Sequence, residues 1–506
     1  MRERFRAVPK RVLSALLALL LLLSTLAVSA SAKAACTCNH LPRIHIHGIG
    51  DPLYLNQDTP DEQQVGIVDS SHLQDVILPI IGKVIAATAK QSWDEGADAI
   101  SLLAKQLFGQ LQCDEKGNSV LSITNRSHLD PKQDHKKNED YFFHYDWRAD
   151  PMRSGKELYE YIEQVKKATG HSKVQLMPYS EGGVIAMAYL AQYGAGSVDH
   201  IVPVVSAHGG VTMVGELFNR NISLSANQAA DYIVSYLGTM DGMETVSALI
   251  EVLRQAGLFD QLVKALSLLI EHVKDKLFQD TLIPLFVQWP ALWGFVPDQY
   301  YASAKKSMFG NDPKYKDFIK MIDNYHTRAG TKSDALLKSI VAAGGKVSIV
   351  AAYGYPAQPF VPSPYAADGL IDTALESSGA TCALHGQAFP ANVKQKIADG
   401  HNHFSPDRKI DASTCLFPES TWFLKDGLHF AIDQPELLDF LLKSKTQPKI
   451  TSNKKYPQFL TVLGKDDLVL TTNAPDPVKP RNLPAAALAF FGSLAGWLWG
   501  QITGLF

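Results

Sequence analysis

The chain has 506 residues, of which 46% are hydrophobic and 20% are charged. This composition excludes a mainly disordered or fibrous protein, and the length allows one elaborated domain or two to three ordinary ones. The formal net charge of −3 gives no basic field of the kind that attracts nucleic acid, so we expect no nucleic-acid partner.

Residues 1–34 have the pattern of a signal peptide. Five basic residues between Arg2 and Arg11 precede an uncharged run over 12–32, and two A-x-A cleavage sites follow. We therefore expect cleavage and a secreted or extracytoplasmic protein. An uncleaved anchor is the alternative, because an uncharged run of this length can just span a bilayer. Without residues 1–35 the chain has 42 basic and 50 acidic residues, a mildly acidic balance.

Strand and helix patterns then alternate, which predicts an α/β fold with a mostly parallel sheet flanked by helices. The strand candidates are 43–47, 140–145, 173–177, 201–205 and 346–353, and the helix candidates are 155–169, 181–193 and 434–442.

Residues 209–340, the helical block, interrupt this alternation with successive helical patterns, for instance one over 246–269. The simplest interpretation is a helical cap or lid inserted over one end of the sheet, and a separate helical domain is the alternative. The chain would then consist of these parts: two core segments over 36–208 and 341–445, the cap between them, an extension with a linker over 446–482, and an apolar tail over 483–506.

The most informative segment is 173–183, KVQLMPYSEGG, where Ser180 stands in a tight turn between a strand and a helix. This is the context of a nucleophile elbow, which holds a serine hydroxyl beside a helix N-terminus. The amide of the next residue, Glu181, can donate to a developing oxyanion. Pro178 occupies the first glycine position of the G-x-S-x-G pattern and lacks an N–H. A serine that merely caps a helix is the alternative interpretation.

An acid and a histidine follow in the order that an α/β-hydrolase requires. Asp368 comes in a turn after the strand candidate 346–353, and Gly369 permits a sharp turn that leaves its carboxylate free. Asp372 is the second candidate for the acid. His429 lies in a loop before the last helix candidate, where it could serve as the base.

A second oxyanion donor is available after the first strand candidate. The sequence His47-Gly48-Ile49 places the Ile49 amide there, next to a flexible glycine. A simple glycine turn is the alternative interpretation.

The polar insertion before His429 holds three rival histidines: His385, His401 and His403. Two of them belong to a cluster that could ligate a metal: Asp399, His401, His403 and Asp407. H-x-H with neighbouring acids is common in loops, so we do not predict a metal at this cluster. A reaction carried out by serine, histidine and aspartate needs no metal and no organic cofactor.

An exported chain can form disulfides. Five cysteines follow the signal peptide: Cys36, Cys38, Cys113, Cys382 and Cys415. The odd number leaves at least one of them unpaired or bridged to another molecule. Cys382 and Cys415 bracket one loop and are the best candidate pair, and Cys113 could pair with either N-terminal cysteine.

The apolar tail, residues 483–506, carries no charge and is long enough to span a bilayer as a helix. Its glycines weaken a helix, and the basic residues precede it, the wrong asymmetry for an exported body. Trp497, Trp499 and Phe506 suit a bilayer interface or an apolar groove on the protein itself. A cleaved lipid-anchor signal is a third interpretation. Contact of this tail with a membrane or lipid surface is therefore one of the outcomes that we expect.

With these features together, the chain resembles the lipase branch of the α/β-hydrolases, specifically the lecithin:cholesterol acyltransferase family. The segments that carry the resemblance are these: His47-Gly48-Ile49-Gly50, FFHYDWR over 142–148, residues 156–183, the Asp368-Gly369 turn and the Leu428-His429 loop. It covers residues 42–206 and 345–442, with a looser match around 289–301. It implies an α/β-hydrolase fold, a Ser180 nucleophile, and lipid acyl esters as substrates. The family's G-H-S-M-G is here PYSEG.

We therefore predict an exported serine ester hydrolase of the lipase type. Ser180 attacks the acyl carbonyl, His429 is the general base, Asp368 orients the imidazole, and the Ile49 and Glu181 amides hold the oxyanion. An acyltransferase that uses a lipid or sterol hydroxyl in place of water is the nearest alternative. A non-catalytic surface protein that keeps this fold for binding is the alternative from another class.

Overall fold

The structure is a computed structural model, and it describes these residues: 40–65, 80, 82–84, 86–87, 90–135, 139–235, 244–358, 361, 365–432, 434–464 and 467–470. The predicted signal peptide, the two N-terminal cysteines and the apolar tail lie outside the described residues.

The strands are numbered in chain order: β1 (Arg43–Ile46), β2 (Leu53–Leu55), β3 (Gln63–Val65), β4 (Ile123–Thr124), β5 (Asp140–Phe143), β6 (Val174–Pro178), β7 (Val198–Ile201), β8 (Lys346–Val347), β9 (Ile349–Tyr353), β10 (Tyr355–Pro356), β11 (Ala366–Ala367), β12 (Thr381–Cys382), β13 (Ile410–Asp411), β14 (Thr421–Lys425), β15 (Phe459–Gly464) and β16 (Asp467–Leu470). The helices are α1 (Trp93–Phe108), α2 (Pro151–Thr169), α3 (Gly182–Tyr193), α4 (Thr212–Phe218), α5 (Ala226–Ser235), α6 (Glu244–Gln255), α7 (Phe259–Leu277), α8 (Asp298–Phe309), α9 (Lys316–Arg328), α10 (Ser333–Ala342), α11 (Thr373–Glu376) and α12 (Pro435–Lys443).

A mostly parallel sheet forms the centre of the protein. Five strands lie in the order β5-β1-β6-β7-β8, and four more lie in the order β9-β14-β15-β16. The two groups are continuous, since only Ser348 separates β8 of the first from β9 of the second. A parallel bridge between Val204 and Val350 also joins them. Within the described residues the neighbours in this sheet pair in parallel, except that the edge strand β16 is antiparallel to β15.

Burial explains which strands are central. Every residue of β6, β9 and β14 is buried, as expected of strands that are covered on both faces. Helices α2 and α3 pack on one face, while Leu437, Leu438 and Leu441 of α12 pack on the other against Trp422 and Val350. The prediction of a mostly parallel sheet flanked by helices is confirmed.

The helical block shares an apolar core with the sheet. Trp293, Phe318 and Val287 belong to the same buried cluster as Ile44 of β1 and Leu158 of α2. The single helix expected over 246–269 is wrong, because the chain forms α6 and α7 there with a break between them. Gly257 lies in that break with φ +68°, a left-handed conformation that ends a helix.

Among the described residues, no helix is both long and apolar enough to cross a membrane.

The close crossing of α2 and α3 generates a stability prediction. A Cβ at Gly155 would lie 2.8 Å from backbone atoms of Ala188 and Tyr189. Although alanine favours a helix over glycine, we expect Gly155→Ala to lower the free energy of unfolding by about 1–3 kcal/mol through overpacking. Denaturant unfolding measures this change. Gly196→Ala is the control, because a Cβ there has no atom within 4 Å. Equal stability of the two variants would contradict the crossing geometry.

Candidate active site

Ser180 stands between β6 and α3 in a conformation that few residues other than glycine adopt. Its φ is +49°, in the left-handed region. The Ser180 carbonyl accepts a hydrogen bond from the Ala207 amide at 2.8 Å, and the Tyr179 amide donates to the Ile46 carbonyl at 2.9 Å. Neighbouring strands therefore hold the serine in a turn that is costly for an isolated residue.

Two glycines allow this turn to approach β1. A Cβ at Gly182 would lie 2.3 Å from the Ile46 carbonyl oxygen, and a Cβ at Gly48 would lie 2.6 Å from the Ser180 Cβ. Pro178 fits at the end of β6, where its carbonyl accepts from the Val204 amide at 3.0 Å. The proline is thus accommodated as the last residue of a strand.

A chain of hydrogen bonds joins Ser180 to His429 and Asp368. His429 Nε2 lies 2.9 Å from Ser180 Oγ, and His429 Nδ1 lies 2.5 Å from Asp368 Oδ2. An ionised carboxylate can only accept, so Nδ1 carries the proton and Nε2 is left to accept the serine hydroxyl proton. Asp368 is fully buried and His429 is 6% exposed, whereas Ser180 is half-buried.

The turn around Asp368 fixes its carboxylate. Oδ1 accepts from the amides of Leu370 at 2.8 Å and Ile371 at 2.6 Å, which leaves Oδ2 for His429. The backbone amide of His429 also donates to the Asp368 carbonyl at 3.1 Å. Asp372, the second candidate, accepts from the Thr212 amide at 3.0 Å instead. The structure therefore brings Asp368, and not Asp372, to the histidine.

Two of the rival histidines, His401 and His403, contact each other and residues other than Ser180. His403 is buried between Gln458 Oε1, 3.0 Å from its Nδ1, and Asp399 Oδ2, 2.9 Å from its Nε2. Its neighbour His401 meets it edge-on, with ring centroids 5.0 Å apart. In the part of the chain that the structure describes, this cluster does not form a group of metal ligands.

The described cysteines are free thiols. Cys382 and Cys415 lie in one apolar cluster, where burial raises the pKa of Cys415 to about 12 and the pKa of Cys382 well above its ordinary value. Burial likewise raises the pKa of Cys113 to about 12. Protonated thiols of this kind are poor nucleophiles. The pairing of Cys382 with Cys415 stays a prediction.

The two predicted oxyanion donors flank the serine. Glu181 is the next residue, and Ile49 follows Gly48, which adjoins the serine side chain. Among the described residues neither amide has a hydrogen-bond acceptor within the protein. Both N–H groups are therefore without an acceptor in the described part of the chain, and their role as oxyanion donors stays a prediction.

The side chain of Glu181 points away from solvent and is fully buried. Neither carboxylate oxygen has a hydrogen-bond partner, and burial, helped by the negative charge of Asp146, raises the pKa of Glu181 well above its ordinary value. Burial therefore favours the protonated form of this carboxyl group. Nothing in the local sequence pattern indicates that the Glu181 side chain is buried.

A cleft of about 940 Å³ opens beside the turn. It reaches Gly48 and Tyr179, although neither Ser180 nor His429 lines it. Apolar side chains from β6 and α12 line one part, including Met177 and Leu438.

Three polar side chains at the cleft were missed as a group by the sequence analysis: His47, Asp51 and His144. Asp51 Oδ2 lies 2.7 Å from His144 Nδ1 and 3.1 Å from His47 Nε2. Desolvation lowers the pKa of His47 to about 4, so this imidazole is neutral at pH 7. The three residues meet only because β1 and β5 are neighbours in the sheet, which spacing along the chain does not reveal.

No protein-family model and no curated protein matches the chain. Among solved structures, a chain described as "The crystal structure of Tle4-Tli4 complex" is 12% identical, with a TM-score of 0.24. The match covers 62% of this chain and 74% of that chain. A likeness at this TM-score carries no argument about fold or function.

The raised pKa of Glu181 predicts a specific dependence of stability on pH. The pKa of Glu181 is higher in the folded protein than the ordinary 4.5, so the unfolded state releases the proton first as the pH rises. The free energy of unfolding of the wild type therefore falls as the pH rises above 4.5. We expect the free energy of unfolding of Glu181→Gln, relative to wild type, to increase by about 1.4 kcal/mol per pH unit until Glu181 ionises.

Denaturant unfolding between pH 5 and pH 8 measures this difference. Glu160→Gln, which removes an exposed carboxylate of α2, is the matched surface control. A difference between Glu181→Gln and wild type that stays constant with pH would show that the buried acid is ionised.

Proposed function

We propose that this protein is an exported serine ester hydrolase of the lipase type, with an α/β-hydrolase fold. The observation that carries the proposal is the hydrogen-bonded chain from Ser180 through His429 to Asp368. The left-handed φ of Ser180 supports it further, because strain of this kind is typical of a nucleophile elbow.

In the proposed reaction Ser180 Oγ attacks the acyl carbonyl while His429 Nε2 takes the hydroxyl proton. Asp368 stabilises the resulting imidazolium, and the Ile49 and Glu181 amides donate to the oxyanion. His429 then returns the proton to the departing alcohol, which leaves an acyl-enzyme. Water, deprotonated by the same imidazole, releases the carboxylic acid. A lipid or sterol hydroxyl in place of water would give a new ester by the same steps.

Lipid acyl esters are the proposed substrate class, as the resemblance to the lecithin:cholesterol acyltransferase family implies. Phe430, beside the catalytic histidine, supports an apolar substrate, since its side chain is 62% exposed and meets the His429 ring edge-on at 5.0 Å. An exposed aromatic ring at this place would contact an acyl chain.

The helical block is the proposed cap. Its first helix is tied to the acid turn by the bond from the Thr212 amide to the Asp372 carboxylate. Gly209 lies so close to α11 that a Cβ there would meet the Leu375 carbonyl oxygen at 2.5 Å. A block that begins beside the site is well situated to exclude water from it. Residues 483–506 are the proposed contact with a lipid surface.

The nucleophile assignment predicts the behaviour of Ser180→Ala. Hydrolysis of a soluble short-chain p-nitrophenyl ester should fall by about 10⁴-fold or more, because no other group replaces the nucleophile. Stability should be retained, because Ser180 is half-buried and outside the apolar core. Ser303→Ala, at an exposed position of α8, is the control and should leave turnover unchanged. Undiminished turnover in folded Ser180→Ala would refute the assignment.

The acid assignment separates two neighbouring aspartates. Asp368→Asn should lower kcat by about 10⁴-fold, because an amide at this position favours the wrong imidazole tautomer. Asp372→Asn should retain activity, since an asparagine oxygen can still accept from the Thr212 amide. Steady-state kinetics on the same soluble ester provide the measurement, and a loss confined to Asp372→Asn would instead assign the acid to that residue.

A further inference from the structure

His47, Asp51 and His144 form a compact group at the cleft, which we name the histidine–aspartate cluster. His47 and Asp51 follow β1, and His144 follows the neighbouring strand β5. One ligand atom from each residue lies within 4.8 Å of the others. Two imidazole nitrogens and a carboxylate oxygen are a common ligand set for zinc and other divalent transition metals.

The hydrogen bonds of His47 fix its tautomer in the form that a metal requires. Nδ1 lies 2.7 Å from the Gly48 carbonyl oxygen, which can only accept, so Nδ1 carries the proton. The Tyr145 amide donates to Nε2 at 3.3 Å, and a metal ion bound at this nitrogen would take the place of that long hydrogen bond. Metal-ligating histidines commonly donate their second nitrogen to a backbone carbonyl in this way.

This tautomer leaves an unfavourable contact that a cation would relieve. The Nε2 lone pair of His47 lies 3.1 Å from Asp51 Oδ2, so that two acceptors face each other. The opposite tautomer has a similar repulsive contact, because the Nδ1 lone pair would then face the Gly48 carbonyl oxygen at 2.7 Å. A cation between the ring and the carboxylate would replace this repulsion with attraction to both groups.

The surroundings hold the cluster in shape and leave it accessible. Asn125 Nδ2 donates to Asp51 Oδ2 at 2.7 Å, Trp147 Nε1 donates to the Asp51 carbonyl at 2.9 Å, and the His47 ring stacks on Tyr145 with centroids 4.4 Å apart. The His144 side chain is 42% exposed, which gives an ion a route of entry.

We propose that the histidine–aspartate cluster binds one Zn²⁺ ion through His47 Nε2, Asp51 and His144 Nδ1. Three protein ligands leave a fourth position for water from the cleft. Bonds of about 2.0–2.2 Å in a tetrahedral site hold ligand atoms roughly 3.3 Å apart. Asp51 Oδ2 now lies 3.1 Å from His47 Nε2 and 2.7 Å from His144 Nδ1, so both distances would lengthen when the ion binds. Zinc binding here does not depend on whether Ser180 is catalytic.

The test is titration calorimetry of the full chain with Zn²⁺ after removal of metals by a chelator, together with the visible spectrum of the Co²⁺-substituted protein. We expect one equivalent of Zn²⁺ with a dissociation constant of about 1 µM or lower, and a Co²⁺ d–d band of four-coordinate intensity. His144→Gln should weaken Zn²⁺ binding by about 100-fold or more and abolish the band. His128→Gln is the matched control, because it removes an exposed histidine that also pairs with an aspartate, Asp58.

Asp51→Asn is a second variant in case His144→Gln does not fold, as judged by circular dichroism, and it should weaken binding to a similar extent. Equal Zn²⁺ affinity of wild type, His144→Gln and Asp51→Asn would overturn the proposal. The absence of binding to the wild-type protein at 100 µM Zn²⁺ would overturn it too.

Discussion

The left-handed turn at Ser180 depends on the close approach of β1, β6 and α3, and the rest of the candidate site depends on that turn. Gly182 has no room for a side chain beside the Ile46 carbonyl, and Gly48 has none beside Ser180. The same approach that strains Ser180 brings the residues after β1 alongside it. Both proposed oxyanion donors and the proposed zinc ligand His47 are therefore set by one packing constraint.

The acid and the histidine reach this turn from the other half of the sheet. Asp368 and His429 are joined twice, through the carboxylate and imidazole and through a bond from the His429 amide to the Asp368 carbonyl. This double connection orients the imidazole toward Ser180. The three side chains thus come from loops that follow strands of the central sheet.

Much of this arrangement could be predicted from the sequence, because local patterns dictate it. The run of buried residues in β6, the periodic apolar face of α2 and the serine between strand and helix are all local features, and so is the Asp368-Gly369 turn. The break at Gly257 was missed because apolar residues continue on both sides of it. The burial of Glu181, the role of His403 and the histidine–aspartate cluster depend on contacts between distant segments, for which the sequence has no periodic signal.

Reaction with a fluorophosphonate probe shows whether Ser180 is an activated nucleophile. The probe is added to the full chain, the intact mass gives the stoichiometry, and peptide mass spectrometry gives the position of the adduct. We expect one adduct per chain, on Ser180, because His429 lies 2.9 Å from its hydroxyl and can take its proton. If the folded protein forms no adduct, or forms it on another residue, Ser180 is not an activated nucleophile.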